Sequence, residues 1–447
     1  MIILQLLVVL GCLLAGSRFG GMGLGLISGI GLCIFVFGFG LPPGEPPVRV
    51  MLTILAVIGC AATMQAASGL NVMMQFSERL LRKHPAHITL LAPLTTWTLT
   101  FLCGTGHVVY TLFPIIGDIA LHKGIRPERP MAVAAIAAQM SICASPVSVA
   151  LVSLVTILAA QQGFGTAYTM LDIIKVTLPA SLLGTLLAAL WSMQRGQELA
   201  DDAEFQAKLK DPKQREYIYS GGATLLNANY PQSAYRSVCI FFVAIALVVL
   251  LGAYPSLRPV FTIDGNSAAL DMNLVIQMMM LVAGAFMLLT CNVLPADIAN
   301  GSLFKAGMTG IFSVFGVAWM SDTFFAAHMA TLQMSLADIV KTQPWLYAVV
   351  LFLVTKLVNS QAAAIVAIAP MGLALGIEPK LIIAFFPAAY GYFIIPTYPT
   401  DLACIGFDRS GTTRIGNYLF NHSFMMPGLI GVIAGSAIGY VLAKLLL

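Results

Sequence analysis

Charge is scarce in this chain: only 9% of its 447 residues are charged, while 59% are hydrophobic and the mean hydropathy is +0.89. A water-soluble domain carries about 25% charged residues. The polar coat of a soluble enzyme or binding module is missing, and the chain reads as an all-α polytopic membrane protein. Paired cysteines are missing as well. The eight cysteines lie in or beside apolar stretches with no CxxC or CxxH spacing, which fits small core residues and says little about redox compartment. There is no HExxH, no GxSxG and no ligand spacing among the six histidines, so no enzyme, metal or cofactor chemistry is expected. A net charge of +4 is spread too thinly to bind nucleic acid. The opening Met-Ile-Ile-Leu-Gln lacks the cationic start of a secretory signal and reads as the first transmembrane helix.

What the chain has is long apolar stretches, two of them too long. The stretch 88–120 is interrupted at Cys103–His107, and the stretch 345–375 at Asn359–Ala362. A helix of about 31 residues measures roughly 46 Å, whereas about 20 residues cross the hydrocarbon core. Each is therefore expected to fold back at its polar centre as a re-entrant hairpin. A broken helix follows each, at 131–160 around Ser145-Pro146 and at 380–407 around the Pro396–Thr400 run. The remaining spans are placed at 2–16, 20–40, 50–67 and 172–192, then at 236–253, 272–290, 301–320 and 419–446. This divides the chain into an N-terminal membrane repeat (1–192), a hydrophilic linker (193–235) and a C-terminal membrane repeat (236–447). The linker region, counted through Arg236, holds six Lys/Arg and six Asp/Glu. It is too short for a catalytic or signalling domain and reads as cytoplasmic.

The distribution of basic residues favours the hairpins. With both stretches re-entrant, 16 of the 23 basic residues share one face, six lie on the other, and Lys356 is left inside the membrane. With both stretches crossing, the split falls to 13 against nine. Both termini then lie outside the cytoplasm, and an odd number of crossings, about five per half, inverts one half relative to the other. Spacing supports a repeat: Gly124-Ile125-Arg126-Pro127 and Gly376-Ile377-Glu378-Pro379 are offset by 252 residues, Ser145-Pro146 and Tyr398-Pro399 by 253.

Paired breaks of this kind mark the binding sites of secondary transporters, because broken helices offer N-terminal dipole ends that attract anions. Four such ends would suit a substrate with a negative group at each end. One group is expected to meet Thr105, Gly106, His107 and Ser145, the other Asn359, Ser360, Gln361, Thr397 and Thr400. Lys356 and Asp401 are read either as a mutual charge lock or as handling substrate or protons. His107 is read as a hydrogen-bonded tip residue in preference to a proton carrier, and Asp322 as interfacial at a span end. The Gly21, Gly25, Gly29 stripe reads as close helix packing.

The runs CGTGHVVYTLFPI (103–115), KLVNSQAAA (356–364), PTYPTDLA (396–403) and FDRSGTTRIGNYLFNHSF (407–424) resemble the anaerobic C4-dicarboxylate uptake (Dcu) family. So do IRPERPMA (125–132) and WMSDTFFAAHM (319–329), and the resemblance covers essentially the whole chain. It is nearest the DcuB branch, through Lys356, Asp401 and the HVVYT segment. The resemblance implies a carrier in the bacterial inner membrane, with periplasmic termini. Its substrates are fumarate, malate or aspartate taken up in exchange for succinate during anaerobic fumarate respiration, with proton-coupled uptake a further mode. The wider ion-transporter superfamily implies a homodimer working as an elevator, and B-type members imply a dicarboxylate-sensing histidine kinase as partner. The competing reading is a signalling membrane protein that binds dicarboxylate without moving it.

Overall fold

The computed structural model describes residues 1–19, 22–159, 168–219, 224–263, 266–396, 398–415 and 421–447. Gly21 and Thr397 lie outside them. The first half begins with α1 (Ile2–Phe19), α2 (Met22–Cys33, continued by a π turn at Ile34–Gly38), α3 (Val48–Ala66) and α4 (Gly69–Lys83). Next come α5 (Ile88–Cys103), α6 (Phe113–His122), α7 (Glu128–Met140), α8 (Val149–Ala159) and α9 (Met170–Ser192). Two short linker helices, α10 (Ala203–Leu209) and α11 (Pro212–Tyr219), precede α12 (Gln232–Ala253), α13 (Met272–Thr290), α14 (Pro295–Asn300) and α15 (Ser302–Thr342). The chain closes with α16 (Trp345–Val358), α17 (Gln361–Ala374), α18 (Pro379–Ala384), α19 (Pro399–Phe407) and α20 (Met425–Leu446).

Seven described helices are long and apolar enough to cross a membrane, and five shorter apolar ones include α8, α16 and α17. The interruptions fall where the polar and proline residues were read. α5 ends at Cys103 and α16 at Val358, and each is followed by a second arm. The element starting at Glu128 stops at Met140, makes a 3-10 turn at Ser141–Cys143 and resumes at Val149. The second break is longer: α18 ends at Ala384, and two 3-10 turns, Phe386–Ala389 and Tyr392–Ile394, lead to Pro396 before α19 begins. Pro387 and Pro396 lack the amide hydrogen a continuous helix needs.

Four expectations need correction. The span read at 301–320 is the start of a 41-residue helix, α15, because nothing between Ser302 and Thr342 breaks the helical pattern. Asp322 therefore sits inside a helix, not at its end. Its carboxylate accepts the Glu45 amide at 2.9 Å, and the neighbouring Thr323 hydroxyl accepts the Gly44 amide at 3.0 Å. An amphipathic helix, α4, follows α3; its charges (Glu78, Arg79, Arg82, Lys83) hid it from a reading by hydropathy. The fold is also not purely α. Val260–Ile263 pairs antiparallel with Asn266–Ala269, a β-branched run ahead of an Asp-Gly, the sequence that two-residue hairpin loops favour.

Packing groups the helices into two bodies. In one, α2 lies along α15, α3 along α13, and α1 along α2, with α12 and α4 beside them. In the other, α9 lies along α20 and α5 along α7, with α16, α18 and the 3-10 turns attached. In hydrocarbon such contacts depend on close backbone approach. A Cβ on Gly184 of α9 would stand 2.5 Å from the Gly431 carbonyl oxygen of α20. Gly25 of the glycine stripe meets the Phe312 carbonyl of α15 in the same way, which is the helix-packing role read for it. The bodies meet where α17 packs on α15 and α8 on α3.

The linker is clasped to the second body. Asp202 binds Arg126 at 2.5 Å, Glu198 binds Arg129 at 2.8 Å and Glu204 binds Arg414 at 2.7 Å. Beneath these ion pairs Leu121, Leu199, Phe205 and Ile218 form a small apolar core. After residues 220–223, the linker is held by α4 of the first body, where Glu78 accepts the Leu225 amide and Gln75 donates to the Leu225 and Ala228 carbonyls.

Candidate functional site

The two interruptions, after Cys103 and after Val358, share one backbone design. At the first, Gly104 takes the left-handed conformation (φ 73°) and donates to the Thr100 carbonyl at 2.7 Å. Thr105 is then extended (φ −142°, ψ 135°), and its hydroxyl accepts the His107 amide. At the second, Asn359 is left-handed (φ 49°) and donates to the Thr355 carbonyl at 2.8 Å. Ser360 is extended (φ −152°, ψ 121°), and its hydroxyl accepts the Ala363 amide. Glycine and asparagine are the residues that tolerate a left-handed helix end, and serine and threonine are the natural caps for the next turn. All these pairs, from Thr100 and Thr355 to Thr105 and Ser360, are offset by 255 residues.

The first tip sits on the first break. A Cβ on Gly104 would stand 2.5 Å from the Val147 carbonyl oxygen, and one on Gly106 would strike the Gln139 amide. Hydroxyls lace the two elements together: Ser141 donates to the Trp97 carbonyl at 2.7 Å and Ser145 to the Phe101 carbonyl at 2.7 Å. Ser148 caps α8 by accepting the Leu151 amide at 3.1 Å.

Gln139 is where all the interrupted elements converge. Its side-chain NH2 donates to the Thr400 hydroxyl at 3.0 Å, and its carbonyl oxygen accepts the Tyr392 hydroxyl at 2.5 Å. The Gln361 side chain donates to the Gln139 backbone carbonyl at 2.8 Å and to the Tyr392 hydroxyl at 3.3 Å. Gln139, Gln361 and Thr400 are buried, so every polar group in this knot depends on the others. Gln139 and Tyr392 are 253 residues apart, the offset that also separates Ser145-Pro146 from Tyr398-Pro399.

Partly exposed groups surround the knot. The His107 Nδ1 lies 3.2 Å from the Tyr110 hydroxyl, and its ring runs parallel to Tyr398 at 6.5 Å between centroids. Lys356 donates from Nζ to the carbonyls of Ile395 at 2.8 Å and Tyr392 at 3.3 Å, and to Asn359 Oδ1 at 3.2 Å. Asp401, in the first turn of α19, is fully buried, and neither carboxylate oxygen has a hydrogen-bond partner among the described residues.

Of the residues read from the sequence, Gly106, Gln361 and Thr400 meet at Gln139. Thr105, His107, Asn359 and Ser360 lie at the partly exposed tips. Ser145 is placed differently: its hydroxyl proton is committed to the backbone of α5. Thr397 lies outside the described residues. Asp401 faces Lys356 without a hydrogen bond between them. Gln139, Tyr392 and Tyr398 were missed. An isolated glutamine in the alanine-rich 131–140 segment, 253 residues before a tyrosine beside the second break, was the available signal.

The family described as anaerobic C4-dicarboxylate membrane transporter matches residues 1–447. The anaerobic C4-dicarboxylate transporter DcuB of Escherichia coli O157:H7 is 51% identical over 442 residues, covering 99% of this chain and 98% of that one. The C4-dicarboxylate transporter DcuA of Wolinella succinogenes is 35% identical over 452 residues, covering 100% of both. Among solved structures, the Alcanivorax borkumensis YdaH transporter, described as having an unusual topology, aligns with a TM-score of 0.58 at 16% identity. It covers 87% of this chain and 84% of that one, a likeness of fold.

Proposed function

This chain belongs to the anaerobic C4-dicarboxylate membrane transporter family, and we propose that it exchanges C4-dicarboxylates at the junction around Gln139, with one substrate carboxylate held by each half. It is a membrane transporter, not an enzyme. The observation that carries the site reading is the convergence of the N-terminal turns after Thr105, Ser360 and Tyr398 on one buried glutamine. Thr105, Gly106 and His107 face one carboxylate, while Asn359, Ser360 and Gln361, with Thr400, face the other. In this reading Ser145 anchors the first tip instead of touching substrate. Free N–H groups at these turns and the nearby Lys356 supply the positive field a dianion needs.

The matching tips, the 252–255-residue offsets and the contact between Gln139 and Tyr392 support two inverted repeats, 1–192 and 236–447, joined by the linker. The partition into two bodies supports an elevator. The hairpin body carries the site and slides, at the contacts of α8 with α3 and α17 with α15, against a body that a homodimer would hold still. The physiological reading is fumarate, malate or aspartate entering and succinate leaving across the bacterial inner membrane in anaerobic respiration, with both termini periplasmic and a dicarboxylate-sensing histidine kinase as partner. Succinate-loaded proteoliposomes should accumulate labelled fumarate. Binding in detergent without such counterflow would instead support a sensor that does not transport.

A further inference from the structure

We propose that Asp401 is a protonatable stand-in for a substrate carboxylate, neutral while dicarboxylate occupies the junction and ionised, facing Lys356, when the junction is empty. This rests on the reading of the junction as the dicarboxylate site. Asp401 is completely buried, and both its oxygens lack hydrogen-bond partners among the described residues. The groups facing it are Lys356 from α16, Tyr110 from the first hairpin, Tyr390, Tyr392 and Tyr398 from the second break, and Cys404 on its own helix. Lys356 is the one charged group among them. It turns its ammonium to the carbonyls of Tyr392 and Ile395 and to Asn359 at the second tip.

An ionised carboxylate with neither a hydrogen bond nor a contacting cation is too costly to hold away from water. This arrangement is therefore that of the neutral acid, the form assigned to the loaded carrier; ionisation requires Lys356 to turn from the carbonyls toward Asp401. The Lys356 ammonium already lies at the tip where a substrate carboxylate would be received. One cation thus has two candidate anions, and both cannot be ionised beside it at once.

The sequence of events follows from charge balance. A dianion entering from outside takes the field of Lys356, and Asp401 accepts a proton from outside water. After inward movement the substrate leaves, the proton passes from Asp401 to inside water, and the restored carboxylate neutralises Lys356 for the empty return. Only the Asp401 O–H bond is made and broken. Net uptake then carries a proton on Asp401 with each dicarboxylate, whereas exchange, loaded in both directions, moves no net proton.

The test uses the purified full chain in liposomes that enclose a pH-sensitive dye. In the wild type, net dicarboxylate uptake should acidify the lumen in proportion to labelled substrate. Asp401→Asn should abolish that acidification and lower the ratio of net uptake to exchange about tenfold or more. Asp401→Glu, which keeps a titratable carboxyl, should restore both. Undiminished acidification in Asp401→Asn would overturn the proposal. So would loss of exchange together with net uptake in that variant, because the neutral side chain is the form assigned to the loaded carrier. Wild-type uptake that follows a sodium gradient without acidification would overturn it too. A wild-type protein incapable of exchange would overturn both this proposal and the transport reading beneath it.

Discussion

Gln139 shows how one residue, through side chain and backbone, can hold four chain segments. Its amide saturates Thr400 and Tyr392, and its backbone carbonyl saturates Gln361. Replacing it by alanine strands a buried hydroxyl on either side, and each unsatisfied group costs about 1–3 kcal/mol. Gln139→Ala should therefore lower the thermal unfolding temperature in detergent and weaken dicarboxylate binding about tenfold or more. Wild-type binding in a folded Gln139→Ala protein would place the site elsewhere. Asn359 separates backbone from side chain. Asn359→Gly keeps the left-handed turn but loses the contact with Lys356, whereas Asn359→Ala loses both. Alanine should thus destabilise by about 1 kcal/mol more than glycine, while both should weaken binding. Equal melting temperatures for the two would show that the turn carries no strain. At this scale the sequence was legible where chemistry is local: Asn359, Ser360 and Thr105 stand out as polar breaks in apolar runs. Gln139 and Tyr392 were not, because their roles arise from contacts 253 residues apart in the chain. Ser145 looked like a ligand because a hydroxyl beside a proline carries no sign of its partner, the Phe101 carbonyl.

Among the elements, the interruptions after Cys103, Met140, Val358 and Ala384 were the most legible, since a 31-residue apolar stretch with a glycine or asparagine at its centre has few stable solutions in hydrocarbon. The amphipathic α4 and the linker helices were obscured by their charges. Those charges give the linker a pH dependence. The Phe205 amide and the Arg126 guanidinium hold the Asp202 carboxyl below the usual carboxylate range, and Arg414 does the same for Glu204. A depressed carboxylate contributes stability that is present above its unfolded value and is lost as pH falls through its folded value. The clasp should thus be intact at neutral pH and weaken progressively as pH falls below about 4. Limited proteolysis of the linker should accelerate over that window, and Asp202→Asn should bring the faster cleavage up to neutral pH. Cleavage indifferent to both changes would show that the apolar core of Leu121, Leu199, Phe205 and Ile218 holds the linker alone.

For the molecule as a whole, the membrane class followed from composition, because burial in lipid leaves only helices and a few kinds of break. The partition into two bodies did not follow. It depends on which small residues let which helices touch, as Gly25 does against α15 and Gly184 against α20, and single glycines do not name their partners. The central claim is that the tips form one dicarboxylate site reached alternately from the two sides of the membrane. It is tested most directly by a single cysteine at Ser360, in a background with the eight native cysteines replaced, probed in sealed proteoliposomes with an impermeant thiol reagent applied to either face. The account predicts labelling from both faces, slowed in each case by succinate or fumarate and not by a monocarboxylate of similar size. Labelling from one face alone, or labelling that dicarboxylate leaves unchanged, would contradict it.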